Sequence, residues 1–201
     1  MGEPAFQLDL EQRYTYADYL TWPDDFRCEL IDGKVYLMSP APTLGHQDVA
    51  GEIFFQLKQQ LKGKPCHPLI APLDVRLPKI ARKHDDEETV LQPDVMVVCD
   101  SAKLDERGVK GAPDWVIEVL SPRTASKDHI QKRRSYEHAG VREYWLVHPR
   151  DHVLTRYVLQ DGQFSAPEIL EMQGKTASFI LPEVEIDWGE MPPALQTPDE
   201  F

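Results

Sequence analysis

Two short apolar runs decide the reading of this chain: VLQPDVMVVC at 90–99 and DWVIEVL at 114–120. Each is rich in β-branched residues and bounded by breakers, so each reads as a central strand. Each also holds an acid inside an otherwise apolar pattern. Asp94 shares its alternate face with Gln92 and Met96, and Glu118 shares its face with Val116 and Leu120. An ionised carboxylate in such surroundings is costly unless a cation, a metal or hydrogen-bond donors compensate it. Two of them on neighbouring strands could converge on one divalent ion, and hard oxygen ligands suit Mg²⁺ or Mn²⁺. Spacing alone leaves the plainer alternative open, in which each acid sits at an edge or strand end and reaches solvent or a salt bridge.

Downstream, residues 127–139 read as a helix, with Ser126 as its cap and Gly140 as its C′ residue. Helical spacing puts Asp128, Lys132, Ser135, Tyr136 and Ala139 on one face, which is expected to meet the sheet. A lysine there could approach the two carboxylates, although a snorkelling surface lysine is the commoner fate. The run Arg123, Lys127, Lys132, Arg133, Arg134 reverses the sign of an acidic chain. It fits either a phosphate-holding patch or an ordinary solvated helix face. EYWLVHP is a further buried strand, HVLTRYVLQDGQF a hairpin turned at Asp161-Gly162, and SFILPEVEIDW the closing segment.

Upstream, residues 46–62 repeat apolar side chains at three- and four-residue steps, a helix with His46 near its start. Residues 69–77 (LIAPLDVRL) alternate as one strand, and the polar loop KIARKHDDEET follows. CELIDGKVYLMS is a hairpin turned at Asp32-Gly33. Thr15 caps a short helix with Asp18 in its first turn. The order of elements predicts a mixed sheet with helices against it, an α/β or α+β domain over 14–190, with a loose arm at 1–13 and a tail at 191–201.

The chain has 201 residues, with 22 Lys+Arg against 34 Asp+Glu, a net charge of −12 that argues against a generic nucleic-acid coat protein. It does not exclude a nuclease, whose metal site needs clustered carboxylates. Cys28, Cys66 and Cys99 are odd in number and widely spaced, which disfavours a zinc knuckle or a disulfide framework and fits a reducing cytoplasm. No signal-peptide pattern opens the sequence and no apolar run spans a membrane, so a cytoplasmic protein is expected. His148 and His152 have zinc-like spacing, but Pro149 and strand-like surroundings deny them a shared helical face. No G-x-G-x-x-G, P-loop or G-x-S-x-G is present.

Taken in order, CELIDGKVYLMSPAP…H, QPDVMVV and DWVIEVLSPRTASKDHIQKRRSYEHAGVREYWLVHP resemble the Uma2 family. These are restriction-endonuclease-like proteins of the PD-(D/E)XK nuclease superfamily, and the resemblance runs from about Tyr14 to Trp188. It implies a restriction-endonuclease-like core, a central mixed sheet flanked by helices, with Mg²⁺ held by Asp94, Glu118 and the Val119 carbonyl. It further implies that Glu29 and His46 sit at the rim of that site. The strand lysine of (D/E)-x-K is Leu120 here, and the lysine that matches the family's helical D-x-x-x-K-x-x-x-Y stretch is Lys132. The expected function is a Mg²⁺- or Mn²⁺-dependent endonuclease on DNA, acting as a homodimer and away from membranes. The alternative is a non-catalytic nuclease-fold module that binds nucleic acid or protein.

Overall fold

The computed structural model describes residues 8–23, 25–38, 41–78, 88–121 and 126–192. Most of the expected arm, most of the loop KIARKHDDEET, Arg123 and most of the tail lie outside the described residues. In chain order come α1 (Tyr16–Tyr19), β1 (Cys28–Ile31), β2 (Lys34–Leu37) and α2 (Leu44–Gln60). Five short strands follow: β3 (His67–Ile70), β4 (Val75–Leu77), β5 (Thr89–Leu91), β6 (Val95–Val98) and β7 (Leu104–Asp105). Then come β8 (Gly108–Lys110), β9 (Trp115–Val119), a π-helical stretch (Lys127–Lys132) that runs directly into α3 (Arg133–Ala139), and β10 (Glu143–His148). The chain closes with β11 (Val153–Gln160), β12 (Gln163–Phe164), β13 (Glu168–Glu171), β14 (Lys175–Ala177) and β15 (Glu185–Asp187).

Among the described residues two main mixed sheets form. One runs β2-β1-β5-β4-β8-β7, the other β12-β11-β10-β9-β6-β3 with β13 added on β11. In the second, β9 and β10 are parallel while β6 and β9 are antiparallel. Alternation along these central strands splits the core in two. Val95, Val97, Trp115, Ile117, Val119, Trp145 and Val147 face α2, whereas Met96, Val116, Tyr144 and Leu146 pack with Tyr136 of α3 and with the first sheet. Both faces are covered, which explains the near-continuous apolar reading of β6, β9 and β10.

Local chemistry makes the turns. Asp32 and Gly33 hold φ of 51° and 77°, and Asp161 and Gly162 hold 51° and 80°, as two-residue hairpins require. Thr15 and Asp18 form a reciprocal capping box, and Gly140 ends α3 in the left-handed region. Ser126, in contrast, is itself helical and its side chain caps nothing.

Two expected strands are each broken in two. Residues 69–77 divide into β3 and β4, which belong to different sheets, and 90–99 divides into β5 and β6 in the same way. Pro72 and Pro93 sit at the breaks, where a residue without an N–H cannot continue a ladder. The cysteine reading is also corrected: Cys66 and Cys99 are disulfide-bonded. His67 pairs with Val98 across β3 and β6, so the next residues outward, 33 apart in sequence, stand opposite each other.

Gly108 shows how tightly this frame is drawn. Its φ is +116°, and a Cβ there would lie 2.3 Å from the Asp74 carbonyl oxygen. Gly108→Ala is therefore expected to cost at least about 2 kcal/mol, roughly 4–8 °C of melting temperature, measurable by thermal denaturation.

Candidate active site

The antiparallel register Val95↔Ile117 sets Asp94 opposite Glu118 at the end of the β6–β9 pair. Asp94 Oδ2 accepts the Val119 N–H at 2.8 Å, and Glu118 Oε2 accepts the Asp94 N–H at 3.4 Å. The two acids are thus joined through backbone, and they differ in access. The Asp94 side chain is 21% exposed and that of Glu118 only 3%.

The buried side of the site is built by the π-helical stretch. Its hydrogen bonds run i→i+5, which brings residues five apart towards one face. Lys127 and Lys132 accordingly both reach Glu29, Lys127 to Oε2 at 2.6 Å and Lys132 to Oε1 at 3.1 Å. Lys132 also lies 2.9 Å from Glu118 Oε1 and 3.5 Å from Asp128 Oδ1. Tyr136, one turn on, donates its hydroxyl to Glu118 Oε1 at 2.9 Å. Glu29 comes from β1 in the other sheet and also accepts the Gln92 N–H at 3.0 Å. Lys132 is buried, so the snorkelling alternative does not hold.

His46 enters from the start of α2, where Thr43 caps the helix by accepting the His46 N–H. Its Nε2 lies 3.2 Å from Asp94 Oδ2, and the ring also faces the Val119 backbone. Nδ1 is buried without a partner. The six residues singled out from the sequence, Glu29, His46, Asp94, Glu118, Val119 and Lys132, therefore meet at one place. Sequence reasoning missed the second lysine, Lys127, as a partner of Glu29. Either reading of the basic run, phosphate-holding patch or solvated helix face, leaves Lys127 outward, whereas the structure turns Lys127 and Lys132 inward and pairs Arg133 with Glu137 at 3.7 Å.

The electrostatics are dominated by burial. Desolvation pushes the Glu118 carboxyl up to about 8 against the pull of Lys132, with Asp128, Asp94 and Glu29 adding to the rise. Burial also works against ionised Glu29, but Lys132, Lys127 and the Gln92 N–H hold it below the usual range. Burial pulls Lys132 down, and Glu118, Glu29 and Asp128 more than restore it, so its pKa stands well above the ordinary value. Burial likewise lowers His46, while Asp94 and the Val119 backbone raise it by more.

A pH dependence follows for the metal-free protein. Glu118 binds a proton more tightly folded, at about 8, than at its ordinary 4.5, so its contribution to stability is complete below 4.5 and is lost as pH rises through about 8. Gln cannot ionise. Between pH 5 and 8, melting curves should show the difference between Glu118→Gln and the wild type moving steadily in the variant's favour.

Four carboxylates (Asp94, Glu118, Glu29, Asp128) meet two lysines (Lys127, Lys132) in this cluster, so acids outnumber lysines two to one before His46 is counted. Among the described residues no group of three or more His, Cys, Asp or Glu is placed to hold a metal ion. Asp94 and Glu118 are hard oxygen donors of the type Mg²⁺ takes, one or two at a time with several waters kept.

The fold is thus a mixed sheet with Asp94 and Glu118 facing each other across a strand pair and lysines of the following helix beside them. The chain belongs to the Uma2 family, described as "Putative restriction endonuclease", whose model matches residues 16–189. It is similar in fold to a crystal structure from Anabaena variabilis described as a putative nuclease belonging to DUF820. That match has a TM-score of 0.70 and 19% identity, and covers 89% of this chain and 97% of the other. No curated protein matches the sequence. Family membership supports a nuclease role. Among the described residues no helix is long and apolar enough to cross a membrane.

Proposed function

We propose that the protein is a Mg²⁺- or Mn²⁺-dependent endonuclease that hydrolyses DNA phosphodiester bonds. The observation that carries this reading is Lys132 Nζ at 2.9 Å from Glu118 Oε1, with Asp94 directly across the strand pair. Asp94, Glu118 and the Val119 carbonyl would hold the ion. When bound, the ion supplies Lewis-acid polarisation of a phosphoryl oxygen and a lower pKa for a bound water.

The protein's own groups divide the remaining work. Lys132, held protonated, is a donor rather than a base, and stabilises negative charge that develops on the phosphate or orients the attacking water. Glu29 has both oxygens occupied, by Lys132 and Gln92 on one side and Lys127 on the other, and so positions the lysines. His46 is aimed by Asp94 and is placed to hold a water or a phosphate oxygen. A homodimer would offer two such sites to the two strands of a duplex.

A non-catalytic module is the second reading, favoured by one observation: Lys132 is engaged by three carboxylates at once, which restrains it from reaching a substrate. Nicking of supercoiled plasmid separates the two. Purified wild type should nick in Mg²⁺ or Mn²⁺ and not in EDTA, and Glu118→Gln purified identically should not. Activity that survives in the variant, or none in the wild type, defeats the nuclease reading.

A further inference from the structure

The elements that carry Glu29 and Lys132 also enclose a second space, which the proposed chemistry leaves unused. A groove of about 780 Å³ opens between the β1–β2 hairpin and the face of the helix that bears Gln131, Arg134 and His138. Its floor is apolar, with Ile31 and Leu77 from the first sheet beside Tyr36 and Ala139. Its rim is cationic. Arg13, Lys34 and Arg134 are exposed there, against a single acid, Asp32. Among the described residues Lys34 and Arg134 have no ion-pair partner, and Arg13 bonds only the Asp32 backbone carbonyl. In a chain of net charge −12, three cations gathered around one groove with no ion-pair partner among the described residues need a reason. Gln131, in the wall, has a buried Oε1 with no donor among the described residues.

These features narrow the ligand. A simple anion has no use for an apolar floor with an aromatic ring, and an apolar peptide has no use for unpaired cations. A nucleotide presents both faces: a flat base that packs against Tyr36, an amino or imino donor for Gln131 Oε1, and phosphate for the rim. We infer that the groove seats a nucleotide unit of a polynucleotide strand, with its phosphates on Arg13, Lys34 and Arg134 and its base against Tyr36 and Gln131. This rests on the nuclease reading for the identity of the strand as substrate. The placement suits that role, because Ile31 lies two residues along β1 from Glu29, roughly 7 Å, and Gln131 adjoins Lys132. A strand seated here would flank the carboxylates.

The test is fluorescence anisotropy in EDTA, where nothing is cleaved, with a labelled 16-nucleotide single-stranded oligodeoxynucleotide. Lys34→Glu/Arg134→Glu alters exposed side chains only, and its melting curve verifies the fold. It should weaken binding at least about tenfold and flatten the log K against log[salt] slope by roughly 1.4, two lost phosphate contacts. Lys62→Glu, an exposed lysine away from the groove, should stay within about twofold. Gln131→Leu should weaken binding about fivefold without changing the salt slope, and a mononucleotide should compete better than inorganic phosphate. Wild type that does not bind, a double variant that behaves like Lys62→Glu, or phosphate that competes as well as the mononucleotide would each overturn the inference. Plasmid nicking run beside it separates the two ideas. Nicking with groove-independent binding removes the groove and keeps the nuclease, and groove-dependent binding without nicking does the reverse.

Discussion

Lys132→Met is expected to lose about 3–5 kcal/mol of folding stability, roughly 10 °C or more in melting temperature, and to abolish plasmid nicking. The cause is what the substitution leaves behind. Glu118, Glu29 and Asp128 all lie within 3.5 Å of Lys132 Nζ, and all are buried. Lys127 would remain for Glu29 alone. Burial of carboxylates without a partner is far more costly than any packing the methionine recovers. Urea or thermal unfolding measures the loss. The double variant Lys132→Met/Asp128→Asn removes one of the carboxylates that lose their partner and should regain more than about 1 kcal/mol, the coupling expected of residues in direct contact. A lysine on the surface would show neither effect, so a change under about 1 kcal/mol would mean that the cluster is not organised around Lys132.

Asp94→Asn is expected to leave the fold in place while removing the response to metal. Asp94 is the more exposed carboxylate, and its Oδ2 accepts the Val119 N–H, a bond that an amide oxygen can also make. In the wild type, Mg²⁺ or Mn²⁺ at a hundred times its dissociation constant should add about 2.7 kcal/mol, an upward shift of roughly 5–10 °C. The variant lacks half of the carboxylate pair and should show little or no shift, with nicking reduced by at least about a thousandfold. Differential scanning fluorimetry with and without the divalent ion reads the first effect, and plasmid conversion reads the second. A shift that persists undiminished in Asp94→Asn would place the ion elsewhere.

Much of the fold was legible because it is local. The Asp-Gly turns demand positive φ, the Thr15–Asp18 cap lies within one turn, and DWVIEVL and EYWLVH are apolar strands whatever surrounds them. The alternation of 69–77 and the apolar run 90–99 each predict one strand where the structure has two, because a pattern records only which side chains point the same way. It does not record which sheet a segment joins, so the breaks at Pro72 and Pro93 went unread. The Cys66–Cys99 bond was hidden for a related reason, since it depends on the register of β3 against β6.

The acids show the same division more sharply. Asp94 and Glu118 stood out as carboxylates inside apolar strands, and Glu143 heads the strand EYWLVH in the same manner. Yet Glu143 is wholly buried and fully served by donors: Trp145 Nε1 and Ser178 Oγ at 2.7 Å, and the Phe179 and Ile180 N–H groups at 3.0 Å. It meets hydrogen-bond donors where Glu118 meets Lys132 and other carboxylates. A strand pattern cannot tell these two acids apart, because three of the four donors to Glu143 lie more than thirty residues away.

The sequence by itself determined the turns, the central strands, the face of the helix that carries Asp128, Lys132 and Tyr136, and the two acids that had to be compensated. Tertiary structure alone decided how they are compensated. It set Asp94 opposite Glu118, brought Glu29 from the other sheet onto two lysines, and wound residues 127–132 so that both lysines could reach it. The physical reason is one of range. Turn and strand preferences act over a few neighbouring residues, whereas the Coulomb and hydrogen-bond energies of a buried charge depend on whatever the fold places within about 4 Å of it, however distant in the chain.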